Sequence, residues 1–252
     1  MELISIDSSN IEKEHICCAI SDKKGEPCVS SKKNWMKSQF EHGLTFKRID
    51  ARGKAFIEYI PAENAWCPID AEGYLFLNCF WVSGQLKGHG YANALLQACV
   101  GDAEAQGRKG LVVISSVKKM PFLSEPKYLK YKGFRVCDTA NPNYELLYLP
   151  FSDDASQPKF RDCCKSGKIE EKGMVLYYTN QCPHTEKYVP LIANIAKERG
   201  QAVKIMKFET AEQAQSAPSP FTTYSFFYEG EFVTNEIFSE SKFTKFLEKK
   251  GL

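Results

Sequence analysis

The chain has 252 residues, 43% of them hydrophobic and 25% charged, which is ordinary composition for a globular protein with room for two domains. A formal net charge of +2 argues against a nucleic-acid or anionic-membrane surface, and no apolar run reaches the ~20 residues of a membrane span. Ten cysteines are too few for a disulfide-built scaffold. Neither Cys17-Cys18 nor Cys163-Cys164 has a second pair at zinc-ligand spacing, so no metal site is expected. Met1–Asp7 lacks the basic start and apolar stretch of a signal peptide, and a cytoplasmic protein is the expectation.

Along the chain, Met1–Asp7 reads as a short strand, and Ser8 or Ser9 as the cap of a helix through Ile11, His15 and Ile16. A second helix is expected over Lys32–Glu41, then strands Thr45–Asp50 and Lys54–Ile60 around an Arg52-Gly53 turn. After a loop with Pro61 and Pro68 comes the apolar strand Tyr74–Val82. Ala92, Leu95, Leu96, Cys99 and Ala103 fall on one face of a helix from Tyr91 to Gln106, stopped by Gly107. Leu111–Ile114 has the unbroken apolar run of a strand buried on both faces. A short helix at Lys127–Lys132 and strands Phe134–Asp138 and Tyr144–Leu149 follow. Residues 151–173 turn polar and read as a linker, dividing the chain into 1–150 and 174–252.

The most informative segment is Val82-Ser83-Gly84-Gln85-Leu86-Lys87-Gly88-His89-Gly90-Tyr91. A strand enters a glycine turn and a helix leaves it, so free amides and the positive end of the helix dipole converge on one point. Such a turn is built to hold a pyrophosphate. A P-loop would need a Gly-Lys-Ser/Thr triplet, which is missing, and the dinucleotide fingerprint would need glycine where Asn93 stands.

Gln85-Leu86-Lys87-Gly88-His89-Gly90 resembles the Gln/Arg-x-x-Gly-x-Gly/Ala signature of the GNAT N-acetyltransferase superfamily, and the element order of residues 1–150 resembles that α/β (α+β) fold, with its mixed sheet. The resemblance implies acetyl-CoA as the acyl donor, with its pyrophosphate on Gln85–Tyr91 and its pantetheine arm along Trp81-Val82. It also implies a small-molecule or peptide amine as acceptor, with no nucleic-acid or membrane partner; the oligomeric state stays open. The family's acid for the leaving thiol is a tyrosine four residues before a late Gly-Phe pair, here Gly133-Phe134. That position is Leu129, so the flanking Tyr128 and Tyr131 are the candidates. For the base, Glu58 is preferred, with Glu63 and Glu72 behind it.

The second half reads as β-α-β-α-β-β-α over residues 174–252. Cys182 stands directly before Pro183 at the start of a helix, where exposed amides and the dipole favour a thiolate, and His184 can add charge when protonated. The element order with Cys182-Pro183-x-Thr185 resembles a thioredoxin or glutaredoxin fold, and the two halves together resemble a GNAT protein with a YoaP-like C-terminal domain. That fold implies a cis-proline before its third strand, at Pro220 or Pro218. Thr185 replaces the second cysteine, leaving a one-thiol mechanism or a resolving thiol from Cys163 or Cys164. The expectation is an N-acetyltransferase whose second half shapes the acceptor site. A thiol-redox protein using Cys182, or a non-catalytic acyl-CoA sensor, are the competing readings.

Overall fold

The structure, a computed structural model, describes residues 2–16, 21–22 and 27–252; Cys17 and Cys18 lie outside them. The first half is a seven-stranded sheet in the order β1-β2-β3-β5-β6-β8-β7. Its elements are β1 (Leu3–Ile6), α1 (Cys28–Phe40), β2 (Thr45–Ile49), β3 (Ala55–Pro61), β4 (Ile69–Asp70), β5 (Tyr74–Val82), α2 (Tyr91–Ala105), β6 (Gly110–Ser116), α3 (Pro126–Tyr131), β7 (Arg135–Ala140) and β8 (Tyr144–Pro150). All neighbours pair antiparallel except β5 and β6.

Strand alternation gives the sheet two apolar faces. Ile57, Tyr59, Leu75, Leu77, Leu111, Val113 and Leu147 form one core with Leu95, Leu96 and Cys99 of α2. Phe46, Phe56, Ile60, Phe76, Val112, Ile114 and Leu146 face the other way, toward Trp35 and Met36 of α1. Lys47 and Tyr59 both bond the Asp102 carboxylate, Lys47 at 2.7 Å, which fastens α2 to the sheet.

Two expected starts are corrected. Residues 8–14 are turns, not a helix. Asp7 accepts from the Ser9 amide (2.8 Å) and hydroxyl (2.6 Å), and these short-range side-chain bonds compete with helical ones. Helix α1 begins at Cys28, earlier than Lys32, because the distant Asp22 carboxylate accepts from the Val29 and Ser30 amides of its first turn.

The second half contains β10 (Met174–Tyr178), α4 (Pro183–Glu198), β11 (Val203–Lys207), α5 (Ala211–Ala214), β12 (Tyr224–Tyr228), β13 (Glu231–Thr234) and α6 (Glu240–Lys250), preceded by β9 (Lys159–Phe160). Its sheet runs β11-β10-β12-β13, with β10 and β11 parallel and the other pairs antiparallel. The cis peptide bond found among the described residues is Asn141-Pro142; neither Pro218 nor Pro220 is cis, against the expectation.

Residues 151–173 form a packed strap. Strand β9 pairs with β4, Phe160 and Cys164 are buried, and Asp138 accepts from the Phe160 amide and the Lys165 ammonium, each at 2.8 Å. The halves meet closely. Helix α1 packs on α4, Gln215 Nε2 donates to the Glu63 and Ala65 carbonyls at 3.0 Å, and Thr222 donates to the Trp66 carbonyl. No helix of the described residues is long and apolar enough to cross a membrane.

Candidate active site

The glycine turn stands where the sequence predicts, between β5 and α2. Gly88 (φ +82°) and Gly90 (φ +78°) adopt left-handed conformations that L side chains rarely take, and a Cβ on either would project into open space. The first helical bond of α2 runs from the Ala94 amide to the Gly90 carbonyl at 3.1 Å, so the amides before it face out of the turn. Leu86 is the anchor: its side chain lies over Gly53 of the β2–β3 turn, where a Cβ would stand 2.9 Å from Leu86 Cδ1. Gln85, Lys87 and His89 line the outer side, and the His89 ring stacks on Tyr91 at 5.6 Å.

Strand β5 pairs with β6 only through Tyr74, Leu75 and Phe76. From Leu77 to Val82 it parts from β6 while keeping its ladder to β3, so a free strand edge leads up to the turn through Trp81 and Val82. The register between β3 and β5 slips beside Glu58, where Asn78 is the extra residue. Such a bulge turns a side chain out of the regular alternation. Asn78 Nδ2 donates to Glu58 Oε1 at 3.2 Å.

Glu58 is 1% exposed and paired with Lys32 of α1 at 2.7–2.9 Å; Lys32 itself is 4% exposed and lies over the Trp35 ring at 4.1 Å. Lys32 is not legible as the partner of Glu58 in the amino-acid order, because nothing in α1's sequence distinguishes Lys32 from Lys33 or Lys37. Glu63 is elsewhere, accepting from the Gly73 amide at 2.7 Å and pairing with Arg108 at 3.3 Å.

A cavity of about 260 Å³ opens between the halves, beside this edge. Phe56, Glu58, Asn78, Cys79 and Trp81 form its transferase-side wall, and Gln181, Cys182, His184, Phe221 and Thr223 the opposite wall. A narrower crevice continues from it between Leu77 and Asn78 of β5 and Ile114 of β6. Cys182 caps α4 with extended backbone, and Thr185 donates to its carbonyl at 2.8 Å. Burial, with Lys54 and Lys187 nearby, holds the His184 pKa below its usual range, which favours the neutral ring. Cys79 shares the cavity with Cys182, whereas Cys163 and Cys164 sit on the strap beside β4. Burial pushes the Cys137 and Cys164 thiols up to about 12.

The two tyrosines separate. Tyr128 faces α2, its hydroxyl donating to Asn93 Oδ1 at 3.0 Å and its ring 5.7 Å from Phe80 of β5; burial pushes its phenol up to about 12. Tyr131 is 82% exposed and faces away, and Leu129 between them is buried in the core.

An open strand edge, a glycine turn at a helix start and a buried carboxylate beside a small cavity fit the class that the sequence resembles, an N-acetyltransferase. The chain is 41% identical to the uncharacterized N-acetyltransferase YoaP of Bacillus subtilis (strain 168) over 97% of both chains, and it belongs to that YoaP family of N-acetyltransferases. The YoaP-like family model matches residues 203–245. Among solved structures, the chain is similar to a GNAT family acetyltransferase from Brucella melitensis in complex with acetyl-CoA (12% identical, covering 64% of this chain and 96% of that one, TM-score 0.39). It is also similar to the ribosomal-protein-S18-alanine N-acetyltransferase of Escherichia coli (14% identical, 60% and 94% covered, TM-score 0.39).

Proposed function

We propose that the chain transfers the acetyl group of acetyl-CoA to an amine held in the cavity between its halves. The observation that supports this most is the parting of β5 from β6 directly before a left-handed glycine turn. The residues suit the cosubstrate: two positions without Cβ, outward amides and a helix dipole favour a pyrophosphate, and the free edge from Leu77 to Val82 offers main-chain partners to the pantetheine amides. Acetyl-CoA, when bound, supplies an activated acyl group.

This chain's own residues then handle the acceptor. Glu58 accepts a proton from the incoming ammonium at a carboxylate oxygen, with Asn78 and Lys32 holding the carboxylate in place. Tyr128 keeps its proton at neutral pH and serves as a hydrogen-bond donor on the α2 side rather than a strong acid, since a thiolate whose thiol has pKa ~8.5 is far less basic than a phenolate. As the C–S bond breaks, CoA leaves as the thiolate and takes a proton from solvent. Tyr131, wholly at the surface, takes no part.

The division into residues 1–150, the strap 151–173 and a thioredoxin-like unit 174–252 belongs to the same proposal, with a cytoplasmic setting. The sheet order β11-β10-β12-β13, with its parallel pair first, supports the thioredoxin-like reading. In it Cys182 is a wall residue of the acceptor cavity, and the absence of a partner thiol at Thr185 weighs against two-thiol redox chemistry.

The test is calorimetry of CoA binding. Gly88→Glu and Gly90→Glu place bulk, strain and negative charge in the cradle, and each is expected to weaken CoA at least tenfold with the fold intact by circular dichroism. Unchanged affinity in both variants overturns the assignment.

A further inference from the structure

The cavity between the halves has a chemistry of its own. Four aromatic rings face it, Phe56 and Trp81 from the sheet, Phe122 from the β6–α3 loop and Phe221 from the second half, around one buried carboxylate, Glu58. Its volume, about 260 Å³, is below the ~300–1,000 Å³ of pockets that hold drug-sized ligands. The charges around it are equally telling. Glu58 is already paired with Lys32, Lys54 adds a positive charge to the lining, and burial beside Lys54 and Lys187 favours the neutral ring of His184. With its one carboxylate shared with Lys32, such a site has nothing to neutralise a second ammonium group. The aromatic faces favour both a cation and an apolar body. Asn78 Oδ1 is buried and, among the described residues, has no hydrogen-bond partner, which leaves an acceptor for an N–H beside the carboxylate.

We infer that the acceptor is a small primary monoamine on an aromatic or branched aliphatic body. A polyamine or an aminoglycoside would bring further ammonium groups against Lys54. A peptide would require main-chain partners in a cavity whose walls are largely apolar side chains. This deepens the proposed transferase reading and rests on it.

The second half sets the specificity, because it places two of the rings. Phe221 is its own. Phe122 is held in a left-handed conformation (φ +64°), rare for an aromatic residue, in a loop that the second half clamps. Asn235, 1% exposed, donates to the Pro121 carbonyl at 2.8 Å. On the sheet side Ser115 donates to the Ser124 carbonyl at 2.9 Å, closing the loop from below. Strain of this kind persists only where the surroundings impose it, and here both halves do. The crevice that leads from the cavity into the gap between β5 and β6 is bounded by Phe122, Phe221, Gln181 and Asn78, so an amine lodged among the rings points at the free edge of β5.

The experiment titrates phenethylamine, isoamylamine, spermidine and a Ser-Ala dipeptide into the full chain by calorimetry, with and without CoA, and follows CoA release from acetyl-CoA with each amine. Phenethylamine and isoamylamine are expected to bind at least tenfold more tightly than spermidine or the dipeptide and to give the highest kcat/KM. Phe221→Ala and, independently, the more exposed Phe122→Ala should each weaken phenethylamine at least tenfold while leaving CoA affinity unchanged. Equal or tighter binding of spermidine or the dipeptide overturns the inference, as does unchanged phenethylamine affinity in both variants. Failure of the wild-type chain to bind CoA overturns the transferase reading instead, and the amine titration without CoA still reports on the cavity.

Discussion

Lys32 and Glu58 are nearly inaccessible charges on different elements, and each is tolerable only because the other is present. Removing one partner leaves the other buried and unpaired, a change that typically costs about 3–5 kcal/mol, whereas removing both with apolar or neutral isosteres is far less damaging. Lys32→Met is therefore expected to lower the unfolding free energy measured by urea denaturation by that amount, and Lys32→Met with Glu58→Gln to recover most of it while abolishing acetyl transfer. His184 gives a pH prediction. Its folded pKa lies below the unfolded value, ~6.5, so the unfolded chain takes up the proton first. The stability that the neutral ring contributes is present above the unfolded value and is lost as pH falls below it. His15 is shifted the same way by burial and Arg48. Melting temperatures at pH 7.5 and 5.5 should show a smaller acid loss in His184→Gln than in the parent, with His15 accounting for part of what remains. An equal loss in both would remove His184 from the account.

At the scale of elements, the glycine turn depends on a neighbour distant in sequence. Gly53 ends the β2–β3 connection in a backbone conformation (φ +147°) that leaves room for Leu86, and Leu86 in turn seats residues 84–90 in front of α2. Since Leu86 is only half-buried, Leu86→Ala should cost less than the ~2–5 kcal/mol of a fully buried leucine. Its larger effect is expected on the ligand: CoA affinity about three- to tenfold weaker by calorimetry, with little change in melting temperature. The reverse pattern would mean that the turn keeps its shape without the anchor. Strand β5 shows how an element can be read correctly and still hide its main property. Its apolar run predicts a strand, yet the slip at Asn78 and the departure from β6 arise from its two neighbours.

For the molecule as a whole, one core crosses the boundary that composition suggests. The α1 face of the large sheet packs with Phe160 and Cys164 of the strap and with Ala214 of the second half, and Tyr144 meets Phe232 edge-on at 5.8 Å. A fragment ending at Leu149 would expose Trp66 and Tyr144 and lose the partner of β4. It is expected to aggregate or to elute in the void volume on size exclusion, where the full chain gives a discrete species. A soluble fragment that binds CoA with unchanged affinity would show that the halves fold independently.

Nearly every strand and helix was visible in the amino-acid order, because apolar periodicity and glycine and proline punctuation are local signals. The glycine turn was visible for the same reason, as Gly88, Gly90 and the helix after them are contiguous. The turns that Asp7 holds and the start of α1 that Asp22 sets were not, since a side-chain carboxylate that takes up amides leaves no mark on the apolar pattern. The cavity between the halves was hidden most completely: Glu58, Lys32, Asn78, Phe122 and Phe221 come from separate segments and have no common spacing. Only the docking of the two halves brings them together, because burying the apolar face of the large sheet requires the second half to cover it, and the cavity is the space that this covering leaves.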